Sequence, residues 1–173
     1  MRMTARIVGV GVLTLVAATA AHAQDGGTTA APVAHNQVIS ASPLLMMFKW
    51  FNLDYERKIS PAVTLGASGS YLPLGDDYDY QRATFHARYY PQGAALTGFY
   101  MGAQTGVHRA GSRRDHETLL GAGVDLGYAW LLGPNRNHSV SVGLGMTRMF
   151  AGNDLDDSLT LPNLRLLNIG FAF

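Results

Sequence analysis

At 173 residues, with no cysteine and a formal net charge of +1, the chain excludes a disulfide-stapled scaffold and a basic nucleic-acid binder. Charged residues make up 14% of it and hydrophobic ones 47%, where an ordinary soluble domain carries roughly 25% charge. So low a charge leaves little with which to cover a water-facing surface.

Residues 1–23 read as a secretory signal. Arg2 and Arg6 make a positive start, Ile7 to Ala18 is an apolar core of about a dozen residues, and Ala21-His22-Ala23 is a small-x-small cleavage site. Cleavage there removes two arginines and no acid, which turns the formal charge of +1 into −1. Residues 24–34 (QDGGTTAAPVA) lack any period and read as a flexible periplasmic leader. No later hydrophobic run is long enough for a transmembrane helix. Residues 35–173 are then one domain.

Within that domain alternation is nearly continuous, and eight segments emerge. The first is Gln37 to Met47 and the second Trp50 to Lys58, where Phe51, Leu53 and Tyr55 alternate with Asn52, Asp54 and Glu56. The third is Ala62 to Leu72, the fourth Tyr80 to Tyr90 and the fifth Gly98 to His108. The sixth, Thr118 to Leu131, is clearest, with Leu120, Ala122, Val124, Leu126, Tyr128 and Trp130 opposite Gly121, Gly123, Asp125 and Gly127. The seventh is His138 to Arg148 and the eighth Leu164 to Phe173, in which Leu167, Ile169, Phe171 and Phe173 alternate up to the carboxylate.

Strands of about ten residues, even in number, predict an all-β, eight-stranded antiparallel up-and-down transmembrane β-barrel with both ends in the periplasm. The predicted periplasmic connections are Ile59 to Pro61, Pro91 to Thr97 and Gly133 to Asn137. The predicted outer ones are Phe48 to Lys49, which is tight, and the longer Pro73 to Asp79, Arg109 to Glu117 and Phe150 to Asn163. The polar face consists mainly of Gly, Ser and Thr, which suit a narrow lumen better than a solvated surface. Aromatics gather toward the strand ends, where membrane girdles form.

The signal, the eight strands, the long outer loops and terminal Phe173 together resemble the small outer-membrane barrels of Gram-negative bacteria, the group of OmpX and the OmpA transmembrane domain. That resemblance implies a location in the outer membrane, contact with its lipid and lipopolysaccharide, and insertion by the barrel-assembly machinery, for which Ile169, Phe171 and Phe173 form the C-terminal signal. The barrel is expected to be a monomer with no cofactor. The tight first outer connection departs from the usual pattern, and no peptidoglycan-binding domain is expected after the barrel.

The candidate lumen network is Asp54, Glu56, His86, Arg88, Gln104 and Asp125, with Asn52, His108 and Asn168 alongside. Unpaired charge is costly in so narrow a space, so the three acids should pair with Arg88 and with Lys58 or Arg82. A packed polar plug is the expected result, and a narrow channel for small solutes or ions is the alternative. A lipid-modifying enzyme is a second alternative, weakly supported. His138-Ser139 are strand neighbours that face opposite sides, and His116-Glu117 has no serine nearby. No catalytic, cofactor or metal site is assigned.

Eight acids, Asp76, Asp77, Asp79, Asp115, Glu117, Asp154, Asp156 and Asp157, fall on predicted outer loops. The last three lack the spacing of a calcium loop. Arg109, Arg113 and Arg114 on the neighbouring loop read as a solvated run of charge, with contact to lipopolysaccharide phosphates as the alternative. The chain is thus expected to be a non-enzymatic barrel with a structural or surface-interaction role.

Overall fold

The computed structural model describes residues 34–75, 77–112, 115–150 and 158–173, the side chains of Asp115, His116 and Ser158 excepted. The signal at 1–23, the leader up to residue 33, Asp76, Arg113, Arg114, Asp154, Asp156 and Asp157 lie outside the described residues. The strands are β1 (Gln37–Ala41), β2 (Phe51–Ser60), β3 (Val63–Leu74), β4 (Tyr78–Tyr89), β5 (Gly98–Ser112), β6 (Asp115–Leu132), β7 (His138–Phe150) and β8 (Ser158–Ala172). Each pairs antiparallel with its sequence neighbour, and β1 pairs with β8, so the sheet is a closed up-and-down barrel. Closure is completed beyond the strands: the Phe173 N–H donates to Gln37 O at 2.9 Å, and Phe173 O accepts from the N–H groups of Asn36 and Gln37 at 3.1 and 2.9 Å.

Two expectations from the sequence are corrected. The first segment does not run to Met47. β1 stops at Ala41, and a one-turn helix, α1 (Pro43–Met47), follows it. Pro43 has no N–H to give a ladder and its fixed φ suits the first turn of a helix. The first far connection is therefore the helical segment 42–50 and not a tight turn.

The other far connections are shorter than expected, because the strands continue through them. Tyr78 and Asp79 pair with Ser112 and Gly111, and β5 pairs with β6 out to Ser112 and Asp115. Polar residues on both faces end the alternation without ending the hydrogen-bonded ladder. The hairpin after β3 then needs only a tight turn, where Gly75 takes a φ of 85°.

The short β1 leaves the wall uneven. Its register with β8 covers only Val38 to Ala41 against Ala172 to Ile169, and above that level β8 pairs only with β7 among the described residues. α1 lies against β2 and β8 in the place of the missing strand. The Ser42 N–H turns to the side chain of Asn52, 2.7 Å from Oδ1. Pro162, in this part of β8 that pairs with β7 on one side only, is a residue that strand edges tolerate.

At the end where β1 begins and β8 ends, segment 90–97 folds inward. The N–H groups of Tyr90 and Ala95 donate to Ala62 O and Pro61 O at 2.7 and 2.8 Å. Leu96 is buried against Val38, Ala172 and Leu131 with φ at 73°. Tyr90, Ala95, Tyr100 and Ala129 form a second small apolar cluster. These clusters form an apolar floor beneath a polar interior.

The barrel is inverted relative to a water-soluble domain. Phe85 is 71% exposed and Leu120 65%, whereas Arg88 is 3% and Glu56 6% exposed. Apolar side chains of all eight strands, from Ile39 on β1 to Phe171 on β8, point away from the interior.

A polar lumen organised around Arg88

Period-two alternation aims Asp54 and Glu56 of β2, Thr84, His86 and Arg88 of β4, and Asp125 of β6 at one another, and all six are buried. The Arg88 guanidinium joins the three acids. Its Nη1 donates to Glu56 Oε2, its Nε reaches Asp125 Oδ2 at 3.2 Å, and Asp54 Oδ1 lies 3.8 Å from Nη1. Glu56 Oε1 accepts from the hydroxyls of Thr64 at 2.5 Å and Tyr90 at 2.8 Å. The ring of Tyr100 lies beneath Arg88, 4.9 Å from its Cζ. Cation–π contact and a fork of donors favour arginine over lysine at such a site.

A second arginine, which sequence reasoning did not place in the lumen, completes the network. Arg165 of β8 grips Asp54 with both terminal nitrogens, Nη2 to Oδ2 at 2.7 Å and Nη1 to Oδ1 at 3.4 Å. Counting back from Phe173 by twos puts position 165 on the outer face. The register shows why this fails: Ser141 and Gly143 of β7 face Asn168 and Arg165 of β8, so Val142 is opposed by both Leu166 and Leu167. This β-bulge turns Asn168 and Arg165 to the same side. Neither Lys58 nor Arg82 takes the role expected of it; Arg82 instead donates to Asn163 Oδ1 at 3.1 Å.

The remaining candidates sit in the same interior. Gln104 donates to Thr147 Oγ1 at 2.8 Å, and His108 Nδ1 lies 2.7 Å from the Tyr80 hydroxyl. The His86 ring fits because position 66, across the strand pair, is glycine, and a Cβ there would overlap Nε2. Gly121 makes the same room for His108, and Gly127 and Gly143 for the Tyr100 hydroxyl. Glycine on the inner face thus serves as space for a large polar side chain from a neighbouring strand.

Ligand atoms of Asp54, Glu56 and His86 lie within 4.8 Å of one another. Their carboxylate oxygens are already engaged by Arg88, Arg165, Thr64 and Tyr90. A divalent ion would have to displace both guanidinium groups, so the donor set fits an ion-pair network better than a metal centre. What remains is a cavity of about 30 Å³ among Asp54, His86, Asp125, Arg165 and Asn168, room for about one water. His86 Nε2, Asp125 Oδ1 and Asn168 Oδ1 are buried without a protein partner.

Ile169 and Phe171 face outward beside the β1–β8 seam, where Phe171 pairs with Ile39. Phe173 is half exposed beyond the end of β8. His138 and Ser139 point to opposite sides, His138 exposed and Ser139 buried.

The fold and lumen define a class: a closed eight-stranded up-and-down barrel, apolar outside, with a packed ionic interior. The chain belongs to the family described as protein of unknown function DUF3575, whose profile matches residues 12–154. Among solved structures it is similar to the N-terminal β-barrel domain of Pseudomonas aeruginosa OprF. The identity is 14% and the TM-score 0.47, over 80% of this chain and 98% of that one. Comparison with curated proteins finds no match.

Proposed function

We propose that the protein is a monomeric, non-enzymatic barrel of the bacterial outer membrane, with a structural or surface-interaction role. The observation that carries this reading is the inversion of polarity: Phe85 and Leu120 face out while Asp54, Glu56 and Arg88 are buried. In water so continuous an apolar exterior would aggregate; in a bilayer it is the required surface, and a closed barrel is the sheet that can carry it. Insertion by the barrel-assembly machinery through Ile169, Phe171 and Phe173, and contact of the far rim with lipopolysaccharide, belong to the same reading.

The test is the migration of membrane-extracted protein on a gel with and without boiling. A folded barrel should shift on heating and fractionate with outer membranes. Recovery from the periplasmic fraction with no shift would overturn the proposal.

The alternative of a narrow channel has less support. Arg88 bridges acids of β2 and β6 across the lumen, the cavity beside it has a volume of only about 30 Å³, and Leu96 closes the floor. Planar-bilayer recordings are expected to stay at background, and steps of defined conductance would favour the channel.

A further inference from the structure

We propose that the outer face of β2 to β5 holds an acyl chain of a phosphate-bearing outer-leaflet lipid of the lipid A type, with the phosphate at Arg109. The proposal rests on the outer-membrane reading. A groove of about 650 Å³ runs there between Phe51 and Leu53 on one side and Val107 on the other. Its floor follows the register: Leu53 pairs with Gly69, Gly69 with Ala83, and Ala83 with Val107.

Gly69 differs from the lumen glycines. A Cβ at Gly66, Gly102, Gly121 or Gly127 would collide with a side chain or carbonyl, whereas at Gly69 it would meet only Arg82 O at 4.0 Å. Glycine in a strand interior is unfavourable, and alternation would put a large apolar side chain at this position. The lumen does not require the gap, and no side chain among the described residues fills it.

One row toward the far end, the lining becomes polar. Phe51 pairs with Tyr71, Tyr71 with Gln81 and Gln81 with Arg109. Arg109 is exposed and makes no ion pair among the described residues. The Gln81 amide donates to Asp79 at 3.3 Å; of the two arginines that line the groove, Arg82 donates to Asn163, so among the described residues Arg109 is the exposed cation of its lining. An apolar trough ending in an exposed guanidinium complements an acyl chain with an anionic head. Arg109 lies three residues from the far end of β5, the side opposite the start of β1 and the end of β8, which in the outer-membrane reading is the outer leaflet.

The test uses the full chain extracted from outer membranes in mild detergent, with folding checked by the heat shift. Binding of purified lipid A and of phosphatidylglycerol is measured by native mass spectrometry. The folded protein should hold one lipid A, and phosphatidylglycerol should bind about tenfold more weakly. Gly69→Val and Ala83→Leu fill the groove without steric conflict in the lumen, and Arg109→Ser removes the charge; each should weaken lipid A binding by about tenfold. Equal binding by the folded variants, or equal binding of the two lipids, would overturn the groove while leaving the membrane barrel intact. Loss of both the heat shift and membrane association in the parent protein would overturn both.

Discussion

Arg165 meets Asp54 across 111 residues of sequence, at 2.7 Å, and it faces the lumen because β8 carries one residue more than β7 between the paired positions 168 and 165. The bulge and the ion pair are one feature seen at the backbone and at the side chain. This makes the bulge testable. Deleting Leu167 should leave a regular strand in which Asn168 and Arg165 still point inward. The barrel is expected to keep its heat shift, with a urea midpoint in detergent altered by no more than about 1 kcal/mol. Were β8 regular as it stands, the same deletion would turn every residue on one side of it to the opposite face, at a cost of roughly 2–4 kcal/mol or more.

Arg88 is the shared partner of three buried carboxylates. Arg88→Met should destabilise the barrel by about 3–5 kcal/mol, since it strands acids that cannot reach water. Arg88→Lys should recover little, because one ammonium cannot reproduce the fork or the stacking on Tyr100. Unfolding followed by tryptophan fluorescence would check both, and parental stability in the lysine variant would refute the requirement for a fork.

At Gly121 an added Cβ would meet His108 Nε2 at 2.5 Å and Thr147 Cγ2 at 3.1 Å. Gly121→Ala should cost about 1–3 kcal/mol by overpacking, and His108→Ser should relieve most of that cost. A double-mutant cycle with a coupling of at least about 0.5 kcal/mol is expected. Additive effects would mean that the glycine does not serve the histidine.

Leu96 lies in a loop, yet it is 3% exposed and takes a left-handed backbone. Leu96→Ala should destabilise by about 2 kcal/mol or more through the cavity it leaves. Ala94→Ser, on the exposed side of the same loop, should change stability by less than about 0.5 kcal/mol. Equal effects of the two substitutions in urea titration would show that the loop does not act as a floor.

Phe173 joins the first strand through its backbone, and its ring is half exposed. Phe173→Ala should therefore leave refolding in detergent nearly unchanged while lowering the amount inserted in cells. Equal outer-membrane levels of the variant and the parent would sink the assembly role.

Alternation was enough to read the eight strands, their order and the inward aim of Asp54, Glu56, His86, Arg88, Gln104 and Asp125, because a period of two is a property of the backbone. It could not reveal Arg165, since a bulge is a change of phase inside one strand and leaves no mark in a pattern of leucines. The far strand ends were hidden for another reason. Beyond the apolar belt nothing selects a polar outside or inside, so Asp79 and Gly111 pair without any pattern to announce them. α1 turns on Pro43, which the apolar alternation takes into a strand although a ladder position suits it poorly.

The wall's ladders are of very unequal length. β5 and β6 run together from Gly98–Ala129 to Ser112–Asp115, whereas β1 meets β8 from Val38–Ala172 only to Ala41–Ile169. A cooperative cylinder should fray first at its weakest join. The β1–β2 ladder is as short, Gln37–Arg57 to Ser40–Asp54, so hydrogen exchange, limited proteolysis and strand exchange with a neighbouring copy should all begin at β1, along its joins to β2 and β8, and Pro43, by stopping β1 early, determines where the cylinder can be unzipped.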